Sequence, residues 1–277
     1  MPPATSNSPQ RSEPAAARPR WEWQRLDDPA ALAGAVADRV AAELRAKPGL
    51  LLCLATGAST LRTYELLAAR ALQEAALFAR ARWIKLDEWL GLAADDPASC
   101  ELFLQRVLLG PLSVPPSRYC GWAGRTTDAT AECRRVAAWL DREGPVDLQI
   151  LGLGANGHLG FNEPGAAADA GPHLAQLTAT SLSHTMLTGA RDPVSRGLTL
   201  GLGDILRSRR IFLLVSGAHK AAQLRRLALG EESPDFPASL LHRHPAVTVF
   251  CDVAAAAQLP AEFFAGSSGS ENPGRAP

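Results

Sequence analysis

The 277-residue sequence has no excess of either charge: 28 lysines and arginines balance 28 aspartates and glutamates. No basic face stands out, which argues against nucleic acid and anionic membranes as partners. The five cysteines, Cys53, Cys100, Cys120, Cys133 and Cys251, contain no CxxC pair. That scatter argues against a metal site and against a disulfide framework, and free thiols suit a reducing compartment. No stretch reaches the roughly 18 apolar residues of a transmembrane helix. The N-terminus lacks both the charged and the apolar segment of a secretory signal. No glycine loop ends in GK[ST], and neither GxSxG nor a Ser-His-Asp signature is present. These absences leave a soluble, cytoplasmic protein as the expectation. A hydrophobic content of 47% gives enough material for a sizeable core.

Residues 1–19 and 266–277 are rich in Pro, Ala, Ser and Gly without a period, and read as disordered tails. Between them, 20–265 reads as a single α/β domain. Asp28 is placed to cap a helix over Pro29–Ala46, with Leu32, Val36, Val40 and Leu44 four residues apart. Short apolar strands are expected at 50–54, 83–86, 146–151, 198–200, 211–215 and 247–251. Helices are expected at 61–76, 99–109, 130–143 and from Lys220 to about Leu229. Strands that alternate with helices imply a mainly parallel sheet covered on both faces.

The richest stretch is VDLQILGLGANGHLGFNEPG at 146–165. A buried strand breaks there into Gly152, Gly154, Gly157 and Gly160, with Asn156, His158, Asn162 and Glu163 among them. Open α/β sheets carry their sites at such carboxyl strand ends. Three further segments have the same strand-to-turn form. Thr56-Gly57-Ala58-Ser59-Thr60 precedes a helix and offers N–H and hydroxyl donors to an anion such as phosphate; an ordinary capped turn fits it equally. Ser216–Lys220 repeats the geometry, and Lys220 opposes the dipole of the helix it opens unless it serves a ligand. Asp87-Glu88 ends the 83–86 strand and suits a general base, a helix N-cap or a surface pair. His173, His219, His242 and His244 read as solvated or capping residues; His184 is less clear because it precedes Arg191 and Arg196. Asp87, Glu163 and His158 together fit proton transfer on a small polar substrate.

With these pieces in order the chain resembles the glucosamine-6-phosphate deaminase family, in particular its galactosamine-6-phosphate deaminase/isomerase type. The carrying segments are LATGAST at 54–60, KLDEWLGL at 85–92, SCELFLQ at 99–105, LGLGANGHLGFNEPG at 151–165, RGLTLGLGDIL at 196–206 and LLVSGAHK at 213–220. They span roughly 25–255. The resemblance implies a doubly wound, Rossmann-like α/β fold and hydrolytic deamination of a hexosamine 6-phosphate coupled to aldose–ketose isomerisation. It implies no metal or other cofactor; a homo-oligomer is compatible with it. By position, Asp87 matches the base that moves a proton between C2 and C1, His158 the residue that assists ring opening, and Glu163 its supporting acid. The 56–60 loop, Lys220 and Arg196 match phosphate contacts. Asn156 stands where glucosamine enzymes usually carry Asp. It supplies no negative charge to the histidine, so it is expected to hold the ring by hydrogen bonds while ring opening leans on Glu163. The same Asn is familiar in the galactosamine type, so galactosamine 6-phosphate is the first substrate expected and glucosamine 6-phosphate the second. A 6-phosphogluconolactonase and a non-catalytic sugar-phosphate sensor are the alternatives.

Overall fold

The computed structural model describes residues 21–264, so both expected tails lie outside the described residues. The chain starts with β1 (Glu22–Leu26), α1 (Pro29–Ala46), β2 (Leu51–Leu54), α2 (Ala58–Ala71), α3 (Ala75–Phe78), β3 (Arg82–Lys85) and β4 (Asp87–Trp89). It continues through α4 (Cys100–Leu104), β5 (Tyr119–Cys120), α5 (Ala129–Glu143), β6 (Leu148–Gly152), β7 (His173–Gln176) and α6 (Ala179–Leu182). It closes with β8 (Arg196–Thr199), α7 (Leu202–Leu206), β9 (Arg210–Val215), α8 (Ala221–Leu229) and β10 (Val247–Asp252).

Seven strands form one sheet in the order β1-β10-β9-β6-β2-β3-β5, and every pairing in it is parallel. Side chains alternate across it. Leu51 and Cys53 of β2 join the core under α5, α7 and α8, while Leu52 and Leu54 join the core under α1 and α2. Helices therefore cover both faces, as expected for a parallel sheet. The start of α1 matches the sequence reading: Asp28 Oδ1 accepts from Ala31 N at 2.8 Å, and Leu32, Val36, Val40 and Leu44 are all buried.

The strand order decides where a site can form. From β2 the chain runs outward to β3 and β5. It then returns to place β6 on the other side of β2 and runs the opposite way to β9 and β10. The direction of winding reverses between β2 and β6, and such a reversal opens a crevice at the carboxyl ends of the strands. The segments that leave those two ends are 55–60 and 153–163.

Three differences from the sequence reading matter. Helix α2 begins at Ala58 rather than 61, because Gly57 takes φ +129° and turns the chain straight into the helix. It ends at Ala71, where three-residue bonds from Leu72 N to Ala69 O and Gln73 N to Arg70 O tighten the chain before α3. The strand before Asp87-Glu88 does not stop there. Leu86 N bonds Leu54 O in the large sheet, while Leu86 O accepts from Leu200 N. The next residues pair as β4 in a second, antiparallel sheet of order β4-β8-β7, with Asp87 opposite Thr199. That small sheet lies over the rim of the large one through this shared residue. Among the described residues no helix is long and apolar enough to cross a membrane.

Candidate active site

A cavity of about 440 Å³ opens at the carboxyl ends of β2 and β6. Asp87, His158, Lys220 and residues Thr56, Gly57, Ala58, Ser59 and Thr60 all line it, so the switch in winding brings together segments far apart in the chain.

Asp87 lies at the junction of the two sheets with only 7% exposure. Burial pushes its carboxyl up to about 7; the nearby Glu88 charge adds to the rise and Lys85 offsets part of it. Its near polar neighbour is the Cys100 thiol, 3.9 Å from Oδ1, and that sulfur in turn accepts from Thr56 Oγ1 at 3.1 Å. The adjacent Glu88 has a different task. Its Oε1 accepts from Trp89 N and Cys100 N, and its Oε2 from Glu101 N, so it ties the start of α4 to β4. Neither member is a helix N-cap, a place Ser99 takes on α4: Glu88 accepts from the first N–H groups of that helix, and Asp87 faces the cavity. Beneath them the fully buried Lys85 ammonium bonds Glu88 Oε2 and Glu101 Oε2, each at 2.7 Å. Burial alone would depress this ammonium, but the two carboxylates more than compensate and keep it charged.

His158 projects from the glycine loop after β6. A Cβ on Gly154 would overlap the imidazole, so the glycine there makes room for the ring against the backbone. Gly157 takes φ +86° under the ring of Phe236, a position closed to a side chain. Burial pulls the imidazole down to about 4; Glu163 opposes the fall, and Lys220 and His184 add to it. Glu163 Oε2 accepts from Asn156 Nδ2 at 2.8 Å and Thr178 Oγ1 at 3.1 Å, and Oε1 from Thr178 N at 3.2 Å. Burial raises this carboxyl, yet hydrogen bonds from Ser181, Asn156 and Thr178 hold it below the usual range. Asn156 does not bond the ring as expected. Its Oδ1 accepts from the backbone N of His158 at 3.1 Å and its amide donates to Glu163, because the tight turn at Gly157 aims it back along the loop.

At the other end of the cavity Gly57, Ala58 and Ser59 present the start of α2. Thr60 contributes less than expected: its hydroxyl is buried and donates to Ala55 O and Gly57 O. Lys220 reaches the cavity from a turn held in place by Asp252, which accepts from Ser216 Oγ at 2.6 Å and Gly217 N at 2.9 Å. Burial lowers its ammonium. Arg196 is not brought in; it is exposed on β8 and does not line the cavity.

The sequence reading missed Ser181, Thr180, Met186 and Trp89, which also line the cavity, and left His184 undecided. His184 both caps and lines: its Nδ1 accepts from Met186 N at 3.2 Å. His219 lines the cavity too, whereas His242 and His244 bond backbone carbonyls elsewhere. No spacing rule marks Ser181 or Trp89; only the Ser/Thr-rich run at 178–185 hinted at a capped turn. A carboxyl raised toward 7 and a neutral imidazole, in one cavity with a helix start and an ammonium, can move protons on a bound anion.

The fold and this cavity define an α/β enzyme whose site sits at the winding reversal of its sheet. Residues 27–250 match the family described as glucosamine-6-phosphate isomerases/6-phosphogluconolactonase, and the chain belongs to that family. It is 39% identical over 228 residues to glucosamine-6-phosphate deaminase 1 of Bacillus subtilis (strain 168), covering 81% of this chain and 94% of that one. It is also 39% identical over 221 residues to AgaI of Escherichia coli (strain K12), covering 80% and 88%; the name of that protein marks its deaminase activity as unproven. Among solved structures, a monomeric glucosamine-6-phosphate deaminase superposes with TM-score 0.80 at 34% identity, over 86% of this chain and 99% of that one. A 6-phosphogluconolactonase from Trypanosoma brucei, at 20% identity and TM-score 0.73, shares the fold.

Proposed function

We propose that the protein is a hexosamine-6-phosphate deaminase/isomerase, with galactosamine 6-phosphate as its first substrate and glucosamine 6-phosphate as its second. The observation that carries this reading is a buried carboxyl, Asp87, raised to about 7 in the same cavity as a neutral His158. Moving a proton between adjacent sugar carbons needs a base that is anionic near neutral pH yet strong enough to accept a proton from carbon, and burial supplies that strength. His158, neutral at pH 7, takes the anomeric hydroxyl proton and returns it to the ring oxygen as the pyranose opens. Glu163 supports the imidazolium formed in between. Lys220 and the N–H groups at the start of α2 grip the phosphate, and that grip orients the reacting carbons. Water then releases ammonia and leaves a ketohexose 6-phosphate. The preference for the galacto sugar rests on the resemblance carried by Asn156.

The experiment is ammonia release by the purified protein, with the two hexosamine 6-phosphates in parallel. Release from galactosamine 6-phosphate at the higher kcat/KM is expected. Release only from glucosamine 6-phosphate overturns the substrate and keeps the mechanism. Release from neither, together with hydrolysis of 6-phosphogluconolactone, overturns the reading in favour of a lactonase.

A further inference from the structure

We propose that His184 is a substrate-binding residue: as a neutral imidazole it donates a hydrogen bond from Nε2 to the phosphate of the bound sugar. The inference deepens the phosphate end of the reading above and rests on that reading for its effect on turnover. It does not rest on it for the tautomer of the ring or for the binding of phosphate.

The phosphate end is short of donors. A phosphate ester presents acceptors only, on its terminal oxygens. Several groups expected to meet it are spent elsewhere. The Thr60 hydroxyl donates to Ala55 O and Gly57 O, and the Thr56 hydroxyl donates to the Cys100 sulfur. Gly217 N, in the turn before Lys220, donates to Asp252. Arg196 is exposed outside the cavity. The start of α2, Ser59 and Lys220 remain.

His184 offers a further donor. It lines the same cavity, about 440 Å³, a size that one small ligand fills. The residue is exposed there, so a ligand can reach it. Its tautomer follows from a bond whose direction is fixed. A backbone N–H can only donate, and Met186 N donates to His184 Nδ1 at 3.2 Å. Nδ1 therefore keeps its lone pair, and the neutral ring carries its hydrogen on Nε2. Among the described residues Nε2 has no hydrogen-bond partner. A second proton would have to sit on Nδ1 and would break the bond from Met186. Burial and the Lys220 ammonium disfavour that proton as well. Lys220 is the charged group that acts on the ring and Asp87, the only carboxylate among the described residues that line the cavity, is not. His184 thus belongs with the phosphate end. The rings of Trp89 and His184 lie with centroids 6.3 Å apart, so the imidazole is flanked on one side and tethered to its backbone on another. Lys220 supplies a mobile point charge, and His184 a donor of fixed direction.

The test uses the 15N-labelled full chain. Its two-bond 1H–15N spectrum reports which imidazole nitrogen bears hydrogen, and His184→Gln identifies the His184 signals. Hydrogen on Nε2 of His184 is expected in the wild-type protein; hydrogen on Nδ1 overturns the proposal. Inorganic phosphate titrated into the same sample should bind. His184→Ala should weaken that binding about tenfold, the size expected for one N–H bond to a charged acceptor. His184→Gln puts an amide N–H where Nε2 stood and should bind phosphate within about threefold of wild type. With the sugar phosphates, His184→Ala should raise KM about tenfold and change kcat much less. Unchanged phosphate affinity in His184→Ala overturns the proposal, and a raised KM in that case assigns the contact to a sugar hydroxyl instead. A wild-type protein that binds no phosphate overturns it together with the role given to Lys220. If wild type binds phosphate but releases no ammonia, the functional reading falls while the spectrum and the titration still decide the role of His184.

Discussion

Asp87 and His158 share one cavity, and the same physical cause moves them in opposite directions. Burial lifts the carboxyl to about 7 and pulls the imidazole down to about 4, because in each it is the charged form that loses water. The support around them differs. Asp87 stands beside a charge set, Lys85 with Glu88 and Glu101, that is itself closed and hydrogen-bonded. His158 has the Ser181 hydroxyl beside Nδ1, and the carboxylate 3.8 Å from that nitrogen, Glu163, is held by the neutral donors Asn156 and Thr178. Ionic neighbours tune how readily Asp87 gives and takes a proton. Burial leaves His158 uncharged at pH 7, with a neutral hydroxyl as the hydrogen-bond partner of its ring.

The comparison has a signature in stability. The folded Asp87 binds its proton more tightly than the unfolded 3.8, so its contribution falls as pH rises from about 4 to about 7. The folded His158 binds its proton less tightly than the unfolded 6.5, so its contribution rises as pH rises from about 4 to 6.5. The two slopes oppose each other over most of that window.

The strongest way to break the comparison is to remove the charge from one member. Asp87→Asn should lower kcat for ammonia release by about 10³-fold or more with KM within about threefold, since the base acts in the transition state. The same variant should melt a few degrees higher at pH 8, because an uncharged amide replaces a carboxylate that burial disfavours. A variant with wild-type kcat would mean that Asp87 is not the base. A smaller effect comes from the far end of the cavity. Lys220→Ala should raise KM about tenfold or more and change kcat much less, as steady-state kinetics with either sugar phosphate will read. The smallest effect sharpens the contrast between ionic and neutral support. In wild type kcat/KM should fall on the acid side with a midpoint near 7, as Asp87 takes up its proton. In Glu88→Gln that limb should move to lower pH, because a charge that raises the Asp87 carboxyl is gone. A limb that stays in place would show that Glu88 acts on α4 alone.

Much of the scaffold could be read from local pattern. The capped start of α1, the apolar strands β2, β6, β9 and β10 and the glycine loop after β6 all rest on neighbours within a few residues. The small antiparallel sheet could not be read that way. Its strands are three or four residues long, and β4 looks like the tail of β3 until Leu86 is seen to bond both sheets. Arg196 illustrates the limit from the other side. It sits in a motif that the family resemblance attaches to the site, yet its position on β8 leaves it exposed outside the cavity.

The sequence by itself determined the periodicity of the strands and helices and the glycines that let His158 and the start of α2 come close to a ligand. It also marked Asp87, His158 and Glu163 as candidates for proton transfer, because residue type and turn chemistry are local properties. Only the tertiary structure decided that Glu88 ties β4 to the start of α4 while Asp87 faces the cavity, that Asn156 holds the loop rather than the ring, and that Ser181 meets the imidazole. The Glu88 and Ser181 outcomes depend on groups 12 and 23 residues apart meeting at one rim of the sheet. Burial at that rim then sets which of them are charged, and no spacing in the chain encodes it.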